Sequence, residues 1–288
     1  ALLFGIMFGD LGQGFLLVVI GWFLYRKSKG KLWGIVHRIG FSSMIFGTLY
    51  GSVFGNEELL NPMYQALGFA SKPIHVMEPE FTMPLLGAAI ALGAILILLS
   101  MTINIVLQFK RKNYGDALFS QNGIAGWIFY GSILFGVALQ MGLKINVANP
   151  FTIGLFLIVP LVIILFRVPL KNLLAKLQVK PHEGWVGYLI ESFFELFEVI
   201  LSFMTNSMSF LRVGGFVMSH AGMMIVVTVL EGMTGKFGIV TLIIGNLFVI
   251  GLEGLIVGIQ TLRLEYYEMF SRYFEGGGKK YVPTNMQN

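Results

Sequence analysis

The chain has 288 residues, of which 56% are hydrophobic and only 12% are charged, and its mean hydropathy is +0.77. A soluble domain carries about 25% charged residues, so this composition excludes an ordinary soluble protein, and it equally excludes an intrinsically disordered one. The absence of cysteine excludes disulfides, thiolate metal sites and cysteine nucleophiles. Because the apolar runs are ~17 residues or longer and do not alternate, the sequence predicts an all-α integral membrane protein.

Apolar segments predict about seven transmembrane helices. They cover residues 1–25, 39–55, 82–109, 119–142, 151–166, 186–230 and 238–262. The chain starts at Ala1 inside an apolar run without an initiator methionine, so we expect its beginning to be cut from a longer protein. Residues 186–230 as one helix would be ~67 Å long against a hydrocarbon core of ~30 Å, so we expect the last two helices to be long and strongly tilted.

The charges between the apolar segments predict an orientation. Fifteen Lys and Arg residues lie in segments 26–38, 110–118 and 167–184 and after residue 270, whereas the alternate segments hold only Lys72, Lys144 and Lys236. Positive residues favour the cytoplasmic side, so we expect a cytoplasmic C-terminus, with residue 1 on the outer side. No internal repeat is evident, which argues against a transporter built from duplicated halves.

Polar residues in the sixth and seventh segments recur at helical spacing, three or four residues apart or at multiples of that spacing, and so form stripes. The stripe on the sixth segment comprises Glu191, Glu195, Glu198, Ser202, Thr205, Ser209 and Arg212, and His220 follows eight residues later. The sparser stripe on the seventh comprises Asn246, Glu253, Gln260 and Arg263.

Arg212 is the residue of this set whose position most strongly indicates function. It lies ~20 residues from either end of its segment, too far to snorkel, and a central arginine costs at least ~2.5–3.5 kcal/mol. The other residues have structural alternatives. The carboxylates at 191–198 would also be stable at a solvated helix start, and Arg263 could extend to the membrane interface. His220 could be a packed, hydrogen-bonded core residue, and Asn246 could simply hydrogen-bond a neighbouring helix.

Three motifs resemble one known family, and the resemblance extends over the whole chain. They are "MFGDLGQG" (7–14), "SFLRVGGFVMSHAGM" (209–223) and "LEGLIVGIQTLRLEYYEMFSRYFEGGGKKYVP" (252–283). They resemble the membrane domain of subunit a, also called subunit I, of the rotary V-type and A-type ATPases. Gln13 departs from the family, which more often has His there. The glycines after Arg212 and the short loops are more similar to bacterial or archaeal members than to eukaryotic vacuolar ones.

The resemblance implies an architecture and partners. The family has eight spans after a cytoplasmic domain, so that domain and the first span are expected to be missing here. Residues 1–180 would form the scaffold helices, and residues 181–288 the two long helices with a cytoplasmic tail. The implied partners are a proteolipid c/K ring, central-stalk and peripheral-stalk subunits, the lipid bilayer and translocated H⁺ or Na⁺. The expected location is a prokaryotic plasma membrane. The resemblance implies no cofactor, no metal and no nucleic-acid partner. It implies no catalytic role either, because ATP would be hydrolysed by other subunits.

The resemblance also implies residue roles. Arg212 would separate two ion half-channels, with Arg263 as a second essential positive group. The outer half-channel would be lined by Glu253, His220, Asn246 and Gln260, and the cytoplasmic one by Glu191, Glu195, Glu198, Ser202, Thr205 and Ser209. Asp10 remains open between packing and a half-channel role.

Two other function classes remain as alternatives. A self-contained secondary transporter or channel would have a closed site near the midplane, and a structural scaffold would have no need of Arg212. The clustering of embedded ionisable residues after position 190 favours the half-channel interpretation. The segment "GMTGKFG" at 232–238 lacks the spacing and the Ser/Thr of a phosphate-binding loop, so no ATP site is expected.

Overall fold

A computed structural model describes residues 1–56, 59–66, 68, 74, 76, 78–143, 149–174 and 184–274. Within these ranges all regular secondary structure is helical, which confirms the predicted all-α class. Several charges used for the predicted orientation lie outside the described residues: Glu57, Glu58, Lys72, Lys144, Lys176, Lys180, Lys279 and Lys280. The predicted cytoplasmic tail beyond residue 274 also lies outside them.

The first predicted segment consists of two helices, α1 (Leu2–Met7) and α2 (Leu11–Ser28). The third helix, α3 (Lys31–Tyr50), follows after only two residues, so most of the predicted basic loop at 26–38 is helical and that prediction was wrong. Lys29 ends α2 in the left-handed conformation at φ 50°, and its N–H bonds the Tyr25 carbonyl. A left-handed cap of this kind lets the chain reverse in a very short connection.

Seven helices of different lengths follow among the described residues before residue 175. They are α4 (Asn61–Ala66), α5 (Pro79–Lys110), α6 (Tyr114–Phe119), α7 (Ile124–Leu143), α8 (Pro150–Ile153), α9 (Val159–Leu165) and α10 (Arg167–Leu174). A π-helical turn, Gly154–Ile158, joins α8 to α9. Proline cannot donate to the carbonyl four residues before it. Pro160 therefore gives the Phe156 carbonyl no helical N–H donor, and this carbonyl instead accepts a hydrogen bond from the Ser132 hydroxyl at 3.0 Å.

The sixth predicted segment is two helices, α11 (Gly184–Ser209) and α12 (Leu211–Thr234), so the prediction of one continuous helix over 186–230 was wrong. The interruption is at Phe210, where the N–H bonds the Ser207 carbonyl three residues back in the tighter 3₁₀ pattern. The Phe210 ring is buried against the backbone of Gly93. This aromatic anchor accounts for a break that hydrophobic periodicity does not reveal.

A 3₁₀ turn, Gly235–Phe237, connects α12 to α13 (Gly238–Leu264). The chain then continues through a π-helical turn, Glu265–Met269, and a 3₁₀ turn, Phe270–Arg272. The chain therefore stays helical beyond the predicted seventh segment, as far as Arg272, but not as regular α-helix.

Three helical stretches of the described residues are long and apolar enough to cross a membrane: Pro79–Lys110, Tyr114–Gln140 and Val186–Arg272. Pro150–Leu165 and Arg167–Leu174, which are bent by 72°, add a fourth if the pair is one span. The third stretch has 87 residues and comprises α11, α12 and α13. Helices α2 and α3 carry basic residues that lower their hydropathy. The count of seven spans and the tilt of the last two stay predictions.

The described residues form two compact units. The first unit combines Ala1–Ile95 with Met204–Glu265 and so contains α12 and α13. The second combines Leu96–Phe203 with the described part of Tyr266–Asn288. The expected functional division at residue 180 stays a prediction.

Helices α2 and α3 of the first unit pack with their backbones in close contact. A Cβ atom on Gly40 would lie 2.7 Å from the Val18 nitrogen, and one on Gly47 would lie 2.5 Å from the Asp10 carbonyl carbon. Real Cβ atoms do not approach backbone this closely. The absence of a side chain at these glycines therefore sets the distance between the two helices, as small residues do in membrane helix pairs.

We predict that Gly47→Ala lowers the free energy of unfolding by about 1–3 kcal/mol, because the added methyl group overpacks the α2–α3 contact. Gly34→Ala on the same helix is the matched control. Its Cβ would meet only the Tyr25 ring, at 3.5 Å, so the change should be neutral or stabilising. Thermal unfolding in detergent, followed by size exclusion, measures both, and equal stability of the two variants would contradict the predicted contact.

Candidate functional site

Helices α12 and α13 form an antiparallel hairpin in the first unit. Near its turn, the hydroxyls of Thr234 and Thr241 lie 3.0 Å apart. Further along, a Cβ on Gly245 would lie 2.7 Å from a methyl carbon of Val227, so glycine is needed for the helices to approach at this level. The same register continues beyond these pairs along the hairpin.

A buried, hydrogen-bonded pair of an imidazole and a carboxyl group joins the two helices at the next level. Nδ1 of His220 lies 2.7 Å from Oε2 of Glu253, and the two side chains are only 5% and 2% exposed. Eight residues further along each helix, the same register brings Arg212 level with Thr261. The hairpin therefore carries a basic residue and an acid–base pair about two helical turns apart on one surface.

The His220–Glu253 pair is arranged to exchange a proton or to bind a cation. A buried carboxylate needs a hydrogen-bonding or charged partner, and the imidazole supplies it. Nε2 of His220 and Oε1 of Glu253 are also buried and have no hydrogen-bond partner among the described residues. The Phe8 ring, centred 4.8 Å from the imidazole ring, packs against the pair. Each member thus keeps one polar atom available for a further ligand.

Asn246 contacts a residue that was not predicted to belong to the site. The Gln13 side chain of α2 donates from Nε2 to Oδ1 of Asn246 at 2.8 Å, and Asn246 donates to the Leu242 carbonyl. Gln13 is fully buried, and its Oε1 atom has no hydrogen-bond partner among the described residues. The signal that identifies it was available, because Gln13 occupies the position where the resembling family more often has His.

Asp10 makes an extensive set of hydrogen bonds at the start of α2. Its carboxylate accepts from the backbone N–H of Gln13, at 2.9 Å, as the N-cap of the helix. It also accepts from the Ser52 hydroxyl and from the backbone N–H groups of Phe54 and Gly55, at 2.6, 3.0 and 3.1 Å. These bonds account for a fully buried carboxylate and attach the segment after α3 to the α2 terminus.

The polar residues at the Arg212 end of the hairpin differ in exposure. Arg212 is half-buried, with Nη1 buried and without a hydrogen-bond partner in the described part of the chain. Oε1 of Gln260 is likewise buried and has no hydrogen-bond partner among the described residues, whereas Arg263 is exposed. The sequence offers Glu253, Asp10 and the carboxylates at 191–198 as counter-charges for Arg212. Glu253 instead pairs with His220, and Asp10 bonds its own local donors.

The carboxylates predicted to line the cytoplasmic half-channel lie along α11. Glu191 and Glu198 are exposed, and Glu195 forms an ion pair with Arg167 of α10 in the second unit. Further along the stripe, the Ser209 hydroxyl donates to the Thr205 carbonyl at 3.0 Å, and Ser202 is half-buried. The structure thus adds Arg167, which sequence reasoning did not select, to the environment of this stripe.

A small cavity adjoins His220 in the first unit. Its volume is about 30 Å³, where one water molecule needs about 10–15 Å³. Its lining includes Tyr50, Ser52, Gly55, His220 and Met224. The cavity therefore connects the imidazole with the segment after α3, which the predicted orientation places on the outer side.

No cluster of three or more His, Asp or Glu side chains suited to a metal ion occurs among the described residues. The fold and site define an all-α membrane protein whose terminal hairpin carries an arginine and a buried acid–base pair.

Comparison with known proteins confirms the resemblance seen in the motifs. The chain is 26% identical to the A-type ATP synthase subunit I of Methanocaldococcus jannaschii over 98% of its length and 43% of that protein. It is 39% identical to the same subunit of Saccharolobus solfataricus over 37% of the chain and 17% of that protein. It is 33% identical to the V-type ATP synthase subunit I 2 of Treponema pallidum over 46% of the chain and 33% of that protein.

The chain is therefore an integral membrane protein that is similar over nearly its whole length to subunit I of archaeal A-type ATP synthases, and over part of its length to a bacterial V-type subunit I. It spans less than half the length of the curated relatives that it matches over nearly its whole length. No family model matches the chain.

We predict that Asp10→Ala lowers the free energy of unfolding by roughly 2 kcal/mol or more, because it leaves several donors without an acceptor. Asn149→Ala is the control, since Asn149 precedes α8 as an N-cap without a side-chain capping bond. Thermal unfolding compares the two variants. Unchanged stability of Asp10→Ala together with lost ion transport would instead assign Asp10 to a half-channel.

Proposed function

We propose that this chain is the membrane part of a rotary-ATPase stator subunit, which provides two cation half-channels beside a proteolipid ring. The observation that carries the proposal is the buried His220–Glu253 pair on the hairpin that also holds Arg212. The kinship with ATP synthase subunit I supports the same assignment and favours it over a self-contained transporter or channel.

The outer half-channel is formed by one surface of the α12–α13 hairpin. Asn246, Glu253 and Gln260 are seven residues apart and share a face of α13, towards which His220 points from α12. The proposal is supported by the buried polar atoms along this face that have no partner among the described residues. The water-sized cavity beside His220 also supports the proposal, because it lies between the imidazole and the segment after α3.

Arg212 separates the outer path from the cytoplasmic one. Its guanidinium remains protonated at any ordinary pH, so it repels cations that would otherwise pass directly between the half-channels. It also forms a transient charge-assisted pair with a ring carboxylate, which favours the ionised carboxylate and releases its ion. The half-buried position of Arg212, with one buried nitrogen lacking a partner in the described chain, suits a group whose counter-charge comes from another subunit.

Arg263 supplies a second positive charge on the neighbouring helix. The hairpin register brings it to the level of Phe210, within one helical turn of Arg212. Its exposure in the isolated chain fits a residue that faces a partner. The two arginines thus present positive charge to the same passing carboxylate.

The cytoplasmic half-channel follows the α11 stripe. Glu191, Glu195 and Glu198 attract cations to its entrance, and Ser202, Thr205 and Ser209 continue the stripe towards Arg212. The exposure of Glu191 and Glu198 supports an entrance open to water. The Arg167–Glu195 ion pair reduces the negative charge at one point of this entrance.

The chain does not hydrolyse ATP in this assignment. It acts with the proteolipid c/K ring and with central-stalk and peripheral-stalk subunits, in a prokaryotic plasma membrane, and it translocates H⁺ or Na⁺. With H⁺, His220 relays the proton, because an imidazole ring has one nitrogen that can accept a proton while the other donates one. With Na⁺, the same pair would help to position the cation.

We predict that Arg212→Lys reduces ATP-driven ion transport to background in the assembled complex, because a buried lysine can lose its proton and does not hold a carboxylate in two parallel bonds. Arg111→Lys, the same change between α5 and α6, is the matched control and should transport normally. Transport in sealed vesicles and subunit composition are measured together. Near-normal transport by a fully assembled Arg212→Lys complex would contradict the separator role.

We predict that thiol labelling distinguishes the two sides of the chain, which itself contains no cysteine. Glu198→Cys should react with a membrane-impermeant maleimide from the cytoplasmic side, and Lys236→Cys, in the turn between α12 and α13, from the outer side. Lys110→Cys serves as a cytoplasmic reference. Reversed labelling of Lys236→Cys and Lys110→Cys would overturn the predicted orientation.

A further inference from the structure

A basic and aromatic groove lies between the end of α2 and the start of α3, outside the ion path proposed above. Its volume is about 600 Å³, within the range of about 300–1,000 Å³ that small-molecule sites occupy. Its lining includes Trp22, Tyr25, Arg26, Lys31, Gly34 and Arg38.

The short connection between the helices creates this groove. The left-handed Lys29 ends α2, and α3 begins two residues later, so basic residues of both helices come together. Gly34 leaves space in the groove, because a Cβ atom there would meet only the Tyr25 ring, at 3.5 Å.

The groove has the chemistry of a phosphate site. Three cationic side chains line it, from Arg26, Lys31 and Arg38, and its lining includes no carboxylate. The Arg26 guanidinium lies over the Trp22 ring at 4.3 Å. Stacking of this kind fixes the plane of the guanidinium and leaves its N–H groups directed outward, in the geometry that binds phosphate oxygens in pairs.

The surface next to the groove indicates that the phosphate belongs to a lipid. Large apolar side chains are exposed on both helices beside it. On α2 these include Val19, Ile20 and Phe23, which are 43%, 45% and 62% exposed, and on α3 they include Phe41 and Ile45, which are 58% and 48% exposed. Inorganic phosphate makes no apolar contacts with such a surface, whereas the acyl chains of a lipid would cover it. Exposed Trp22 and Tyr25 at the boundary are typical of a membrane interface.

We propose that this groove binds the headgroup phosphate of an anionic phospholipid, with the acyl chains lying along the exposed apolar faces of α2 and α3. The positive-inside orientation directs the groove to the cytoplasmic leaflet, where basic pockets between membrane helices bind anionic headgroups. The lipid would fill the space between the two helix ends and hold their basic residues together without charge repulsion.

The test is native mass spectrometry of the full-length protein, stripped of lipid in detergent and titrated with phosphatidylglycerol or phosphatidylcholine. We expect preferential binding of phosphatidylglycerol at one site. Arg26→Gln should weaken that binding by about fivefold, since one basic residue near a membrane surface contributes about that much. Gly34→Leu should weaken it by about tenfold or more, because it fills the groove without changing any charge.

Lys110→Gln is the matched control, since it removes one exposed positive charge outside the groove and should leave binding unchanged. Equal binding of the two lipids, or an equal loss in Lys110→Gln and Arg26→Gln, would overturn the proposal by showing only diffuse attraction. Displacement of phosphatidylglycerol by inorganic phosphate at equal concentration would identify a free-anion site and overturn the lipid assignment. If Gly34→Leu fails to fold, the contrast between Arg26→Gln and Lys110→Gln decides the question.

Discussion

The cost of burying charge between two helices is the constraint on which the terminal hairpin depends. A carboxylate as buried as Glu253 is stable only with a partner, and His220 supplies it at 2.7 Å. This pair lies in the same register of α12 against α13 as the Thr234–Thr241 and Val227–Gly245 contacts.

The N-terminal helices of the first unit pack against the polar surface of the hairpin. Phe8 packs against the imidazole of His220, and Gln13 hydrogen-bonds Asn246. Both residues flank Asp10, whose hydrogen bonds hold the start of α2 in place. The short connection at residues 8–10 and the first turn of α2 thus position two side chains against the polar surface of the hairpin. This arrangement gives the segment MFGDLGQG (7–14) a structural reason to accompany the hairpin residues in one chain.

Much of the architecture could be predicted because apolar length and helical period are local properties of the sequence. The stripe that led to Asn246 and Glu253 depends only on the 3.6-residue period, and both side chains are buried on one face. The break at Phe210 could not be predicted, because it depends on an aromatic ring that packs against Gly93 far away in the chain. The short turn at Lys29 was missed because basic residues at helix ends look like a solvated loop.

The contacts between site residues on different helices could be identified only from the three-dimensional structure. The family resemblance placed Glu253 and His220 in the same predicted half-channel, but nothing in the sequence connected Asn246 with Gln13. The opposite problem concerns Arg212, for which the sequence offers Glu253, Asp10 and the carboxylates at 191–198 as counter-charges. The structure gives Glu253 and Asp10 other partners. In the mechanism proposed above, a carboxylate of the proteolipid ring supplies the counter-charge.

Passive ion leak through the assembled membrane sector tests that mechanism most directly, because a barrier between two half-channels must stop flow even without ATP. Arg212→Ala is compared with wild type and with Arg263→Ala in vesicles under an imposed ion gradient. The separator role predicts that Arg212→Ala raises the leak well above both, while the sector remains assembled. An unchanged leak in an intact Arg212→Ala sector would contradict the account and make Arg212 a structural residue.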